Sequence, residues 1–176
     1  ISALTGGKVL VLLCTYNEIE NLPRVVAETW QALPQAHILV IDDHSPDGTG
    51  GWVRAHEALD QCLFLIRRAG KQGLGTALKA GIGWFLDHGY DYLVNLDADL
   101  SHPPAAIPQL LQMCQQPDCD VAIGSRYIAG GGFSGLWLHR RWMSRLLNAY
   151  ARRMLGLPLT DCSGSFRCYS REALAK

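Results

Sequence analysis

Five short, almost uninterrupted apolar runs, each closed by a cluster of polar side chains, limit how this chain can fold. They are KVLVLLCTY (8–16), AHILVIDD (36–43), CLFLIR (62–67), YDYLVNLDAD (90–99) and CDVAIGSR (119–126). A strand with one wet face alternates apolar and polar residues. These runs do not alternate, so they read as strands covered on both faces, as in parallel sheets. Segments at about 18–32, 48–60, 74–88 and 104–115 read as helices. Leu78, Ile82 and Phe85 line one face of the third, and Pro103 and Pro104 suit the first turn of the fourth. Strand–helix alternation predicts right-handed crossovers and an α/β architecture, a mostly parallel central sheet flanked by helices. The 176 residues suffice for one such domain. Gly130, Gly131 and Gly132 mark a loop after which a second unit begins.

Charge divides the chain where the runs end. The formal net charge is zero, which speaks against a generic nucleic-acid binder. Residues 1–124, however, hold 7 basic and 14 acidic side chains, and residues 125–176 hold 9 basic and 2 acidic. Such asymmetry points to an anionic partner for the basic part. No stretch reaches the roughly 18 apolar residues of a membrane-spanning helix, and no secretory leader is evident in these residues. The six cysteines form no C-x-x-C pair, so buried free thiols in a reducing compartment are expected rather than zinc or a disulfide framework.

Ligands of doubly wound sheets bind beyond the carboxyl ends of the strands. The polar residues gather there: Thr15-Tyr16-Asn17-Glu18, Asp42-Asp43, Arg67-Arg68, Asp97-Ala98-Asp99 and Ser125-Arg126. One shared cleft is the economical reading. Asp97 and Asp99 stand at i and i+2 after a buried strand, a spacing that aims both carboxylates at one hard cation. The plainer alternative is a turn, with Ser101 capping the helix after the prolines. Of Asp42 and Asp43, one can accept hydrogen bonds from a base or ribose while the other caps a helix; Pro46-Asp47-Gly48 reads as a turn. Arg67, Arg68 and Lys71 lie beside the glycine-rich start of a helix, which is either a phosphate cradle or simply a basic helix end. No P-loop pattern is present, and Leu78 takes the third glycine position of G-x-G-x-x-G, so a Rossmann dehydrogenase is disfavoured.

The segment from Arg126 to Arg153 carries Arg126, Arg140, Arg141, Arg145, Arg152 and Arg153 and no acid. Leu138, Trp142, Leu146, Tyr150 and Met154 recur about every fourth residue, as on a solvated helix packed on the core or a helix that meets lipid phosphate. In DCSGSFRCY (161–169), Arg167 sits in a strand-like run after a tight turn of Ser163, Gly164 and Ser165. His44 and His102 read equally as loop residues or ligands.

Together and in this order, TYNEIENL (15–22), IDDHSPDGT (41–49), GKQGLGTALKAG (70–81), LDADLSHPP (96–104), GSRY (124–127) and DCSGSFRCY resemble the inverting family 2 glycosyltransferases. Within them the likeness is to the dolichol-phosphate (polyprenol-phosphate) mannose synthases, and it covers almost the whole chain. His44 stands where the family commonly has Asn. The resemblance implies a glycosyltransferase-A fold, a GDP-mannose donor and a polyprenyl or dolichyl phosphate acceptor. Thr15, Tyr16, Glu18, Asp42 and Asp43 would contact the nucleoside, with Lys71 nearby. Asp97 and Asp99 would hold Mg2+ or Mn2+ on the diphosphate, and Asp99 would act in catalysis with Arg126, Arg140, Ser144 and Arg167, which handle acceptor phosphate and donor. Some members carry glutamine where this chain has Ser101, so no third protein ligand is expected there.

On this reading residues 1–176 form one catalytic domain, 1–124 binding the nucleotide sugar and 125–176 the acceptor. A further C-terminal segment is expected beyond Lys176, and the protein is placed at the cytoplasmic face of a membrane. A UDP-sugar or glucosyl transferase of the same family is the nearest alternative. A D-x-D phosphatase would use Asp97 as nucleophile but wants Thr or Val where Ser101 stands, and a non-enzymatic nucleotide-sugar binder is the third.

Overall fold

The computed structural model describes residues 6–57, 62–125 and 164–176. The apolar runs form β1 (Val9–Thr15), β2 (His37–Asp42), β3 (Leu63–Arg67), β4 (Tyr92–Asp97) and β5 (Val121–Ile123). Between them lie α1 (Leu22–Ala32), α2 (Thr49–Glu57) and α3 (Leu74–Asp87), then a single 3-10 turn (Pro104–Ala106) that leads into α4 (Ile107–Cys114). The FRCY run forms a further strand, β6 (Arg167–Ser170), followed by the short helix α5 (Arg171–Leu174). Among the described residues these make one six-stranded sheet in the order β3-β2-β1-β4-β6-β5. Pairs β1–β2, β1–β4 and β2–β3 are parallel, and β6 is antiparallel to both neighbours. The expected mostly parallel α/β sheet is present. Its sixth strand comes from the part of the chain assigned to the acceptor, and it lies inside the sheet.

Strand alternation sorts the core into two layers. Val9, Val11, Leu13, Ile38, Val40, Val94 and Leu96 point to the face covered by α1, α2 and α4. Leu10, Leu12, Leu39, Ile41 and Leu93 point to the face covered by α3, where Phe85 and Tyr90 are also buried. Both faces are apolar, which is why the strands show no alternation in sequence. The steps β1 to β2 and β2 to β3 run one way with helices on one face. The step β3 to β4 runs back with α3 on the other, as a uniform hand requires. The step β4 to β5 departs from that expectation, because it also runs back yet α4 packs beside α1. The α3 side of the sheet there carries Asn95, Asp97 and Arg167, which offer a helix little to bury. Because the chain moves to opposite sides of β1 in this way, the crevice between the ends of β1 and β4 is the topological switch point.

Of the described cysteines, Cys114 and Cys168 are buried, whereas Cys14, Cys62 and Cys119 are only partly so, fewer in the core than expected; Cys162 lies outside the described residues. Helix α3 approaches the sheet closely through Gly81, where an added Cβ would lie 2.5 Å and 2.7 Å from the two methyls of buried Leu12. Gly83, two residues on and so on the opposite side of the helix, faces open space. Gly81→Ala should therefore cost about 1–3 kcal/mol by overpacking. Gly83→Ala should stabilise by up to about 1 kcal/mol through helix propensity. Urea unfolding of the two variants against the parent chain checks both signs.

Candidate active site

At the carboxyl ends of the parallel strands, the Asp42-Asp43 pair divides, with Asp42 as the last residue of β2 and Asp43 the first past it. Asp42 shares a face with Ile38 and Val40 and has no exposed surface. Its carboxylate accepts from Thr15 Oγ1 at 3.3 Å, Ser45 N at 3.1 Å and Ser45 Oγ at 2.5 Å, and Arg67 Nε lies 3.7 Å away. The register explains the company, since Thr15 and Arg67 are its direct neighbours on β1 and β3. Gly50 leaves it room, for a Cβ there would stand 2.7 Å from Asp42 Oδ2.

Asp43 faces the α3 side. One oxygen pairs with the Arg68 guanidinium, and the other accepts Gln72 N and Gly73 N, each at 3.2 Å. Arg68 also donates to Thr76 Oγ1 at 2.5 Å and to Gly73 O at 3.0 Å. The pair thus pins the glycine-rich turn to the end of β2, and Gly73, with φ +89°, supplies the bend into α3. On that turn the Lys71 ammonium sits 3.9 Å above the ring of Tyr16, which is 39% exposed. The contact joins the β1 and β3 loops over the cleft.

The SPDGT string serves the neighbouring loop. Asn17 N donates to Ser45 Oγ at 3.0 Å, Glu18 N to Thr49 Oγ1 at 3.1 Å and Ile19 N to Asp47 Oδ2 at 3.1 Å. Asp47 also accepts Thr49 N and Thr49 Oγ1. These roles of Ser45, Asp47 and Thr49 were not legible as more than a turn. His44 has φ +60°, a left-handed conformation that Asn adopts most readily and His more readily than most, so the departure from Asn is tolerated there.

Asp97 ends β4 on the same face as Asn95, beside Cys14 of β1. It is half-buried and accepts a hydrogen bond from Ser165 Oγ. Asp99 lies past the strand in a turn, exposed, with Oδ1 accepting Ser101 N at 2.9 Å. The alternation that was to align the two carboxylates therefore stops at Asp97, and it is the turn through Leu100, at φ +61°, that sets Asp99. Ser101 Oγ lies 3.1 Å from His102 Nδ1, and the buried His102 ring packs on Phe166 at 5.3 Å. Asp97 and Asp99 offer hard oxygen donors, with the rest of a coordination sphere left to phosphate and water, a set that fits Mg2+ or Mn2+. Among the described residues no third His, Cys, Asp or Glu joins them. The thiol of Cys14, opposite Asp97 on β1, is pushed up to about 12 by burial, with Arg68 opposing and Asp43 and Asp97 adding. It stays protonated at neutral pH and is no nucleophile.

Arg167 is in β6 opposite Asn95, on the Asp97 side, with Nε donating to Gly164 O at 2.8 Å. Arg126, Arg140 and Ser144 lie outside the described residues, as do Gly130 to Gly132, the arginine-rich segment and Ser163. The structure thus brings Thr15, Tyr16, Glu18, Asp42, Asp43, Lys71, Asp97 and Asp99 to one edge of the sheet, with Arg167 adjoining.

Residues 10–176 match the family described as Glycosyl transferase family 2. The chain belongs to that family. It is 42% identical over 167 residues to an undecaprenyl-phosphate mannosyltransferase of Micrococcus luteus, covering 95% of this chain and 68% of the relative. It is also 42% identical over 170 residues to a polyprenol monophosphomannose synthase of Mycolicibacterium smegmatis, covering 96% and 64%. The chain thus spans about two-thirds of the length of these curated relatives. In structure it is similar to the mannosyltransferase PcManGT of Pyrobaculum calidifontis, solved with GDP-Man and Mn2+, at 18% identity and TM-score 0.64, covering 96% of this chain and 46% of that one. The sheet is the glycosyltransferase-A arrangement expected from the motifs.

The loop clamp of this family member carries a pH signature. Burial pushes the Asp47 carboxyl up, but the donors of Thr49 and Ile19 outweigh it and hold it below the ordinary value. A depressed carboxyl contributes stability above its unfolded pKa of about 3.9 and loses it as pH falls through the folded value. Asp47→Ala should therefore unfold at lower urea than the parent chain at pH 7, and the gap should narrow below about pH 4.

Proposed function

We propose that this glycosyltransferase moves mannose from GDP-mannose to a polyprenyl (dolichyl) phosphate, with inversion at the anomeric carbon and a divalent metal, Mg2+ or Mn2+, on the diphosphate. The observation that carries the reading is the 42% identity to two polyprenyl-phosphate mannosyltransferases along nearly the whole chain. The placement of Asp97 and Asp99 at the switch point supports it. Tyr16, Glu18, Asp43 and Lys71 form the nucleoside end over a buried floor of Thr15 and Asp42. Arg167, with Arg126, Arg140 and Ser144, meets the acceptor phosphate.

Held by Asp97 and Asp99, the cation would neutralise charge that builds on the departing diphosphate. The acceptor phosphate oxygen is already anionic, so its bond to the anomeric carbon forms as the bond to GDP breaks, and the electron pair leaves with GDP. No proton moves, and no strong general base is required. The arginines offset repulsion between the two anions. An acceptor with a polyprenyl tail places the chain at a membrane surface, taken to be the cytoplasmic face. Among the described residues no helix is long and apolar enough to cross a membrane.

Two measurements test this. With Mn2+ present, calorimetry should show GDP binding tighter than UDP; the reverse order would remove the mannose donor. Transfer from GDP-mannose to a polyprenyl phosphate in detergent should fall on the order of 10²-fold or more in Asp97→Ala and Asp99→Ala. Phosphate release without sugar transfer, abolished by Asp97→Asn, would favour a phosphatase instead.

A further inference from the structure

Ser165 belongs to a tight turn by sequence, yet its hydroxyl donates to Oδ2 of Asp97. Register dictates the contact. In the antiparallel pair β4–β6, Val94 stands opposite Cys168 and Asn95 opposite Arg167. Carried two residues on, the same pairing sets Asp97 against Ser165 on one face of the sheet. The backbone that delivers the hydroxyl is fixed on both sides. Asn95 Nδ2 donates to Ser165 O at 2.7 Å, and Gly124 N donates to Phe166 O at 2.9 Å. Phe166 is buried against His102 and fills the space that Gly124 leaves, since a Cβ there would lie 2.2 Å from its ring. Ser165 is thus held at Asp97 by contacts that do not involve its own side chain.

We infer that Ser165 is a positioning residue for the metal-binding carboxylate. Its O–H occupies Oδ2, fixes the rotation of the Asp97 side chain and leaves Oδ1 as the oxygen for a cation. Outer-shell hydrogen bonds of this kind orient ligands and tune metal affinity. Through Ser165 the metal end of the cleft is also tied to the strand that carries Arg167. The inference rests on the metal reading proposed above.

The test is Mn2+ binding to the whole chain with GDP present, followed by the electron paramagnetic resonance of free Mn2+. Ser165→Ala should weaken Mn2+ binding about tenfold and raise the donor KM more than it lowers kcat. Its unfolding midpoint without Mn2+ should stay near that of the parent chain. Ser165→Thr keeps the hydroxyl and should recover most of the affinity. Equal Mn2+ affinity in the parent chain and Ser165→Ala overturns the inference and leaves the metal reading standing. So does a Ser165→Thr variant that folds like the parent chain yet binds Mn2+ no better than Ser165→Ala. A parent chain that takes up no Mn2+ overturns the metal reading first, and the inference with it.

Discussion

Backbone N–H groups left over where the parallel strands run out are the constraint on which this site depends. Inside the sheet the ladders satisfy them; past the carboxyl ends the chain turns sharply beside a buried core, and each donor there needs a partner. Asn17, Glu18 and Ile19 find Ser45, Thr49 and Asp47, Ser45 finds Asp42, Gln72 and Gly73 find Asp43, and Ser101 finds Asp99. Much of what reads as chemistry in the motifs is therefore committed to holding loops. Tyr16 and Asp99 remain exposed on the resulting rim, with Lys71 stacked over the ring of Tyr16. A site built this way is stiff before any ligand arrives, because its groups are fixed by bonds the fold needs in any case.

The same turns carry backbone strain. Asn17, His44 and Leu100 all take φ near +60°, shortly after β1, β2 and β4 respectively. Asn is suited to that region; for Leu the left-handed conformation costs about 1–2 kcal/mol. Leu100 keeps it because its side chain packs against the core layer under α1 and α4. Strain held by packing beside a pair of carboxylates is where a fold keeps a functional geometry it would not choose locally.

Electrostatics narrows the choice further. The acidic part of the chain looks rich in candidate ligands, yet Asp42 lies near Arg67, Asp43 pairs with Arg68, and Asp47 is spent on backbone and hydroxyl donors. Asp97 and Asp99 stand apart from those arginine pairs, at the crevice between β1 and β4. Net neutrality of the chain is thus a sum over internal pairs, a carboxylate edge and an arginine-rich segment, and it says little about either partner alone.

The parallel strands, the helices between them and the edge where polar residues collect were all legible locally, because two-faced burial leaves short unbroken apolar runs and a helix leaves an apolar stripe, each visible within a few residues. The D-x-D pair and the polar loops after β1 and β2 were legible as strings. What could not be read was direction and pairing. Asp42 and Asp43 turn to opposite faces as the chain leaves β2, Asp42 toward Thr15 and Asp43 toward Arg68 and the start of α3, and Asp99 leaves the strand that was to align it with Asp97. Ser165 reaches Asp97 across 68 residues of chain. Side-chain period is a property of one segment; register is a property of two, set by which backbones meet. The sequence by itself determined the architecture and the chemistry gathered at its edge. Only the tertiary structure, by seating β6 between β4 and β5, decided which side chains hold that chemistry in place.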